Sequence, residues 1–270
     1  MNTALDTHTP ELPILNLATY RFVGVSDPEA ARDWVKSIAA AHNIKGTILL
    51  AAEGINFFIA GTELDVRAWL AKLDTDERFA ELGAKESWSA TVPYRKLVVK
   101  VRNELIRMDQ PGIVQAHGRA PGVSPETLKR WLDAGVDDAG KPVVMLDTRN
   151  QFEVDMGSFD GAVSWGIERF TQFPPAADAH AAELAGKTVV SFCTGGIRCE
   201  KAAIYLRHAG VEAYQLDGGI LKYFEEKGSA HYTGNCFVFD DRAMVDGNLQ
   251  QVGDYPPDTQ FNPKLYNKRG

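Results

Sequence analysis

Chemistry concentrates at Cys193-Thr194-Gly195-Gly196-Ile197-Arg198, a cysteine and an arginine separated by a short, glycine-containing run. The glycines let backbone N–H groups converge on one point, and a following helix N-terminus adds partial positive charge. A thiolate at Cys193 inside such a cradle has its pKa lowered and becomes a nucleophile or a sulfur carrier. The elements that must hold it are legible on either side. Thr188 to Phe192 is an apolar run and reads as a buried parallel strand. A loop runs from Cys193 to Arg198, and Glu200 to His208 reads as an Ala-rich helix stopped by Gly210. Cys199 falls at the N-terminal edge of that helix, where a secondary role is expected; a resolving partner for Cys193 is the alternative. The plain alternative for Cys193 itself is an inert buried thiol.

This stretch resembles the active-site loop of the rhodanese superfamily. Cysteine phosphatases use Cys-X5-Arg, usually with His before the Cys; here the spacing is Cys-X4-Arg and Phe192 precedes it, which suits a persulfide sulfur better than a phosphoryl group. Asp147-Thr148-Arg149, after the apolar strand Val143 to Leu146, resembles the rhodanese Asp-x-Arg motif. The resemblance implies that Asp147 and Arg149 support the active-site side of the fold, with Glu153 following in the same region; a helix cap at Asp147 is the local alternative. Gly157-Ser158-Phe159-Asp160-Gly161-Ala162 stands where relatives carry Gly-His-Ile-Pro-Gly-Ala, so the histidine is absent. Arg169, in Glu168 to Pro174, either faces the active site or pairs with a surface acid. Val211 to Leu216 reads as a strand, and Asp217-Gly218-Gly219-Ile220 opens a helix to Lys227, resembling the segment that closes rhodanese domains. The rhodanese domain is expected over 123–227.

The composition of the 270 residues, 44% hydrophobic with net charge -7, allows a real core and argues against a broadly basic nucleic-acid binder. DNA is not an expected partner. The three cysteines, Cys193, Cys199 and Cys236, form neither a disulfide framework nor a paired metal motif. A reducing cytoplasm is the expected compartment. The polar start predicts no signal peptide, and no apolar run approaches the ~18 residues of a membrane helix.

Upstream, Leu15 to Val25 reads as a strand, and Ser26 caps a helix from Asp27 to His42. Lys45 to Ala60 gives two strands, Thr62 or Glu63 starts a helix to Leu73, and Lys85 to Trp88 and Leu97 to Val101 are β-like. The β-α-β-β-α-β order is ferredoxin-like. The expected fold class is α/β: a ferredoxin-like (acylphosphatase-like) α+β domain over 14–115, then a rhodanese-like α/β domain with a parallel sheet. Residues 117–122 read as a linker before a helix capped by Ser124. A C-terminal extension, 228–270, is expected to dock on the body, with Cys236 structural and no metal site.

Two further phrases sharpen the resemblance. Gly46-Thr47-Ile48-Leu49-Leu50-Ala51-Ala52-Glu53-Gly54-Ile55-Asn56 and Arg95-Lys96-Leu97-Val98-Val99-Lys100-Val101-Arg102-Asn103-Glu104-Leu105 look like signatures of a bacterial rhodanese-containing family, the tRNA uridine hydroxylases of the wobble position. The resemblance covers roughly residues 15 to 245, with Phe57-Phe58 standing where members commonly carry Gly-Thr. It implies oxygen-dependent hydroxylation of uridine 34 of tRNA to 5-hydroxyuridine, with catalytic Cys193 and Arg198 and the loop Thr194, Gly195, Gly196 and Ile197 around them. Molecular oxygen and an unidentified reductant are implied with it, and a cysteine persulfide is compatible; the residues themselves carry no 2-His-1-carboxylate triad, haem ligand or flavin fingerprint. The implied partner is tRNA. Arg95, Lys96, Lys100 and Arg102 are the candidate phosphate contacts, Lys96, Lys100 and Arg102 sharing one face of a strand; a solvated or protected edge is the alternative. A thiosulfate or persulfide sulfurtransferase, and a non-catalytic binding module on a rhodanese fold, are the competing functions.

Overall fold

A computed structural model describes residues 12–110, 113 and 119–253. The expected lead-in through residue 11, His117 and Gly118 of the linker, and the tail after residue 253 lie outside the described residues. Two sheets organise the chain. In the first unit, β1 (Ile14–Phe22), α1 (Pro28–Ala41), β2 (Lys45–Ala51), β3 (Gly54–Thr62), α2 (Glu63–Leu73), β4 (Lys85–Ser89) and β5 (Leu97–Val101) form a sheet of order β4-β1-β3-β2-β5. The β4-β1-β3-β2 core is antiparallel, as the ferredoxin-like reading expects. β5 adds a parallel edge strand beside β2, pairing Gly46 with Leu97 and Leu50 with Val101. The cap of α1 is Asp27 rather than Ser26: its carboxylate accepts from Ala30 N at 2.9 Å, which starts the helix at Pro28, a residue with no N–H to satisfy.

Alternation along β1 explains how this sheet serves two cores. Leu15 and Leu17 face α1 and α2, packing with Ile48, Phe57, Ile59, Val35, Val66 and Trp69. Ala18 turns the other way into the core of the second unit, with Phe58 packed against it. Tyr20, Phe22 and Leu49 pack around Ala51, Leu105 and Ile197. The face that helices leave open is therefore closed by the second half of the chain.

The second unit runs β6 (Gly122–Val123), α3 (Pro125–Ala134), β7 (Val143–Asp147), α4 (Gln151–Val154), β8 (Gly157–Phe159), β9 (Val163–Ser164), α5 (Phe173–His180), β10 (Thr188–Phe192), α6 (Ile197–His208), β11 (Ala213–Leu216) and α7 (Gly219–Lys227). Its sheet, order β6-β11-β10-β7-β9, is wholly parallel. One face packs Leu128, Trp131, Ile220 and Phe224 of α3 and α7. The other packs Phe173, Ala177, Ala202, Ala203 and Leu206 of α5 and α6. Central β10 is buried along its whole length, as a strand covered on both faces must be. The remaining short strands are β12 (Tyr232–Gly234), paired with β8, and β13 (Cys236–Phe237), paired with β14 (Met244–Val245). Cys236, Val238, Val245 and Leu249 join the α3–α7 core, so this part of the C-terminal extension is packed on the body, through turns more than through a continuous strand.

Candidate active site

Helix α6 begins at Ile197, three residues before the expected start at Glu200, so Arg198 lies in its first turn and the loop contracts to Cys193–Gly196. Gly196 enters the helix at φ +102°, a conformation that residues with a Cβ rarely adopt. No Ser, Thr, Asp or Asn marks this start, which is why local pattern missed it.

Every loop carbonyl is taken up by a donor. Cys193 O accepts from Ile220 N at 2.9 Å and Thr194 O from Leu221 N at 3.1 Å, both from the start of α7. Gly195 O accepts from Lys85 Nζ at 3.0 Å. Gly196 O accepts from Glu200 N at 3.2 Å, with Cys199 Sγ and Tyr20 Oη each 3.1 Å away. With the carbonyls committed elsewhere, the N–H of Gly196 points at Cys193 Sγ, 3.1 Å away. Gly219 permits this packing: at φ +67° it lies so close that a Cβ would sit 2.4 Å from Cys193 O.

Cys193 is 1% exposed. Burial alone pushes its thiol up. The Cys199 side chain, the Arg198 guanidinium and the amides of Cys199 and Gly196 outweigh that and bring it down to about 5. Cys199 moves the opposite way, well above its ordinary value, through burial and the negative charge on Cys193. The pair thus divides into a thiolate at Cys193 and a thiol at Cys199.

Arg198 is clamped by Glu153, with Nη1 to Oε2 at 2.5 Å and Nη2 to Oε1 at 2.7 Å. Glu153 is fully buried and also accepts from Asn150 N at 3.2 Å and Thr194 Oγ1 at 3.3 Å. Local pattern assigns Glu153 no role at the active site. Asn150-x-x-Glu153 is visible as a capping box for α4, but the pairing with Arg198 is not. Asp147 is not the cap; Asn150 is. Asp147 instead pairs with Arg149, Oδ2 to Nη2 at 2.6 Å with both side chains buried, and accepts from Ser158 Oγ at 2.8 Å. Thr148 N and Oγ1 bond the carbonyl of Phe192 at 3.0 and 2.8 Å, tying this triplet to the strand end from which the loop leaves.

The first unit contributes residues that sequence reasoning did not assign. Tyr20 Oη donates to Glu200 Oε2 at 2.8 Å, and Glu200, fully buried, also takes a two-pronged bond from Arg119 at 2.9 and 3.0 Å. Burial, then the Glu200 charge, hold the Tyr20 phenol well above its usual value, so it stays a donor. Lys201 Nζ, inside α6, bonds Glu53 Oε1 at 3.0 Å, Glu104 Oε2 at 2.8 Å and Ile106 O at 3.1 Å. Glu53 also accepts from Leu105 N at 2.6 Å. Its carboxylate therefore joins the β2–β3 turn, the segment after β5 and α6. From the C-terminal side, Phe237 O lies 3.4 Å from Thr194 Oγ1, and the Phe239 ring sits 5.8 Å from the Arg198 guanidinium carbon.

Other expected residues fall apart from this cluster. Arg169 is exposed, its N–H bonded to Gln172 Oε1 at 3.1 Å. Arg95, Lys96 and Arg102 are exposed and Lys100 is half-buried, on or beside the edge strand β5. Among the described residues no group of His, Cys, Asp and Glu is placed to hold a metal, and no helix is long and apolar enough to cross a membrane.

A family model described as a UPF0176 acylphosphatase-like domain matches residues 14–105, and a rhodanese-like domain model matches residues 124–226. The chain is 60% identical to the tRNA uridine(34) hydroxylase of Variovorax paradoxus (strain S110), over 87% of this chain and 90% of that protein. It is 59% identical to the protein of the same name from Bordetella petrii, over 89% of this chain and 96% of that one. A third, from Delftia acidovorans, is 59% identical over 87% and 90%. Identity at this level over nearly the full length of each relative, with both domain matches in register with the two sheets, places the chain in the tRNA uridine(34) hydroxylase family.

Proposed function

We propose that this protein is an oxidoreductase that hydroxylates C5 of the wobble uridine of tRNA, with Cys193 as its reactive group. The observation that carries the reading is the thiolate cradle at Cys193, in a chain 60% identical to a protein named for that reaction. Glu153 holds Arg198, and Thr148 and α7 hold the loop, so the sulfur and its donors are fixed relative to one another before substrate binds. Position 34 lies in a single-stranded loop of tRNA, where a base is turned outward without opening a duplex. Arg95, Lys96, Lys100 and Arg102 supply phosphate contacts from the edge of the first sheet. Molecular oxygen is the oxidant: one atom enters the C5–H bond of the base as hydroxyl and the other leaves as water, with two electrons and two protons supplied by a reductant and solvent.

Nucleoside analysis of tRNA from a strain lacking the gene, complemented with wild type or Cys193→Ser, tests the proposal. The 5-hydroxyuridine-derived nucleoside is expected to be lost on deletion, restored by wild type and not restored by the serine variant, whose hydroxyl does not ionise near neutral pH. Unchanged nucleosides in the deletion strain, together with loss of sulfur transfer to a thiol acceptor, would replace this reading with the sulfurtransferase one. Full restoration by Cys193→Ser would remove Cys193 from the chemistry.

A further inference from the structure

The peptide unit joining Gly195 to Gly196 is bonded at both ends. Its N–H donates to Cys193 Sγ at 3.1 Å and its carbonyl accepts from Lys85 Nζ at 3.0 Å. Flanked by two glycines, it is the least restrained peptide of the loop. A flip would turn the carbonyl oxygen toward the sulfur and remove the donor. The N–H groups of Ile220, Leu221 and Glu200 hold the neighbouring carbonyls; for this one the described bond comes from Lys85, on β4 of the first sheet.

Lys85 is unusual in its own right. It is 6% exposed, and among the described residues it makes no ion pair with a carboxylate. Its ammonium lies 5.4 Å from the centre of the Tyr20 ring. The charged and titratable groups acting on it are Cys193 and Cys199 of the loop and α6, and Lys222 and Glu225 of α7. Glu225 is engaged with Lys222 at 3.0 Å. The groups acting on Cys193 include Arg198 and Cys199, and the Arg198 charge is already matched by Glu153. Among the described residues, Lys85 is a buried cation beside the loop that no carboxylate pairs, and the Cys193 charge acts on it.

We propose that Lys85 is a positioning residue of the cysteine site: it locks the Gly195–Gly196 peptide with its N–H on Cys193 Sγ and supplies the cation that balances the thiolate, making the first domain a working part of the rhodanese active site. A bonded chain of ammonium, peptide and thiolate is mutually polarising, each link strengthening the next. The ionisation of Lys85 fits this: burial pulls the ammonium down to about 8, opposed chiefly by the negative charge on Cys193.

The test is the pH profile of Cys193 alkylation by iodoacetamide in the full chain, read at the Cys193 peptide by mass spectrometry. The midpoint reports the thiolate, whereas the plateau rate reports access. Lys85→Met removes donor and charge and is expected to raise the midpoint by about one unit or more, a roughly tenfold loss of thiolate at low pH. Lys85→Gln keeps a donor without the charge and should fall between. Unchanged midpoints in folded variants would overturn the proposal. A measurement on the wild type covers the case in which neither variant folds: the 15N resonance of the Lys85 ammonium is titrated before and after Cys193 is alkylated. Removing the thiolate should lower the Lys85 midpoint, and an identical titration before and after would overturn the proposal equally.

Discussion

Replacing Glu153 with glutamine is the most informative single change at this site, because it separates stability from thiolate chemistry. The carboxylate takes two bonds from Arg198, at 2.5 and 2.7 Å, and one each from Asn150 N and Thr194 Oγ1, all within the protein. A carboxamide has one acceptor oxygen. In either orientation its NH2 faces a donor: Arg198 Nη1 with Asn150 N, or Arg198 Nη2 with Thr194 Oγ1. The buried guanidinium also loses its counter-charge. Breaking a buried pair from one side costs about 3–5 kcal/mol, and at roughly 2 °C or more per kcal/mol for a chain of this size the melting temperature should fall by at least ~6 °C. Cys193 should respond with the opposite sense to a general loosening. With Glu153 neutral, more of the Arg198 charge acts on the sulfur, so the alkylation midpoint should drop below that of wild type. Calorimetry and the alkylation profile together decide. A destabilisation under about 1 kcal/mol, or a midpoint that rises in folded protein, would refute the view that Glu153 carries the Arg198 charge.

Further outcomes follow from the same geometry. Between about pH 5, the folded value for Cys193, and about 8.5, the unfolded value, the unfolded chain holds a proton that the folded one does not. Stability from this group is therefore complete above about 8.5 and is lost as pH falls through about 5. The melting-temperature difference between wild type and Cys193→Ser should grow in favour of wild type across that window, and a flat difference would contradict a depressed thiolate. Replacing Lys96, Lys100 and Arg102 together with Ala should weaken tRNA binding and flatten the slope of log K against log salt by up to three contacts, at roughly 0.7–0.9 each; an unchanged slope would make the β5 edge a solvated face. Lys201→Met leaves Glu53 and Glu104 without their shared cation at the junction of the two units, so the melting temperature should fall and Cys193 alkylation at fixed pH should speed up. Failure of either would show that this cluster does not hold the units together.

Local pattern carried the loop and its supports. The apolar run at Thr188–Phe192, the glycines after Cys193 and the Ala-rich stretch before Gly210 each fix a short-range conformation, and strand, loop and helix follow them. What escaped was long-range. Lys85 sits in Lys-Glu-Ser-Trp, an ordinary half-polar edge-strand pattern, and its partner is 110 residues away. Tyr20 and Glu200 are separated by 180 residues. In α6, Glu200 and Lys201 are of charged types that are seldom fully buried, yet both are buried, because Tyr20, Glu53 and Glu104 of the first unit close over them. The start of α6 is illegible for a different reason: a glycine in the left-handed region opens it, where capping rules look for a side-chain oxygen.

The packing of residues 236–239 against the loop has a consequence for how the protein is made. The strand, the loop and Arg198 leave the ribosome before Phe237 and Phe239, and before Val245 and Leu249 complete the core beneath them. A nascent chain therefore carries the Cys193 loop ahead of the segment that bonds Thr194 and lies over Arg198, and until that segment docks the loop lacks both supports. Synthesis that stalls late, or a nick that frees this segment, leaves a chain that is nearly whole in length with its cysteine loop braced from one side fewer.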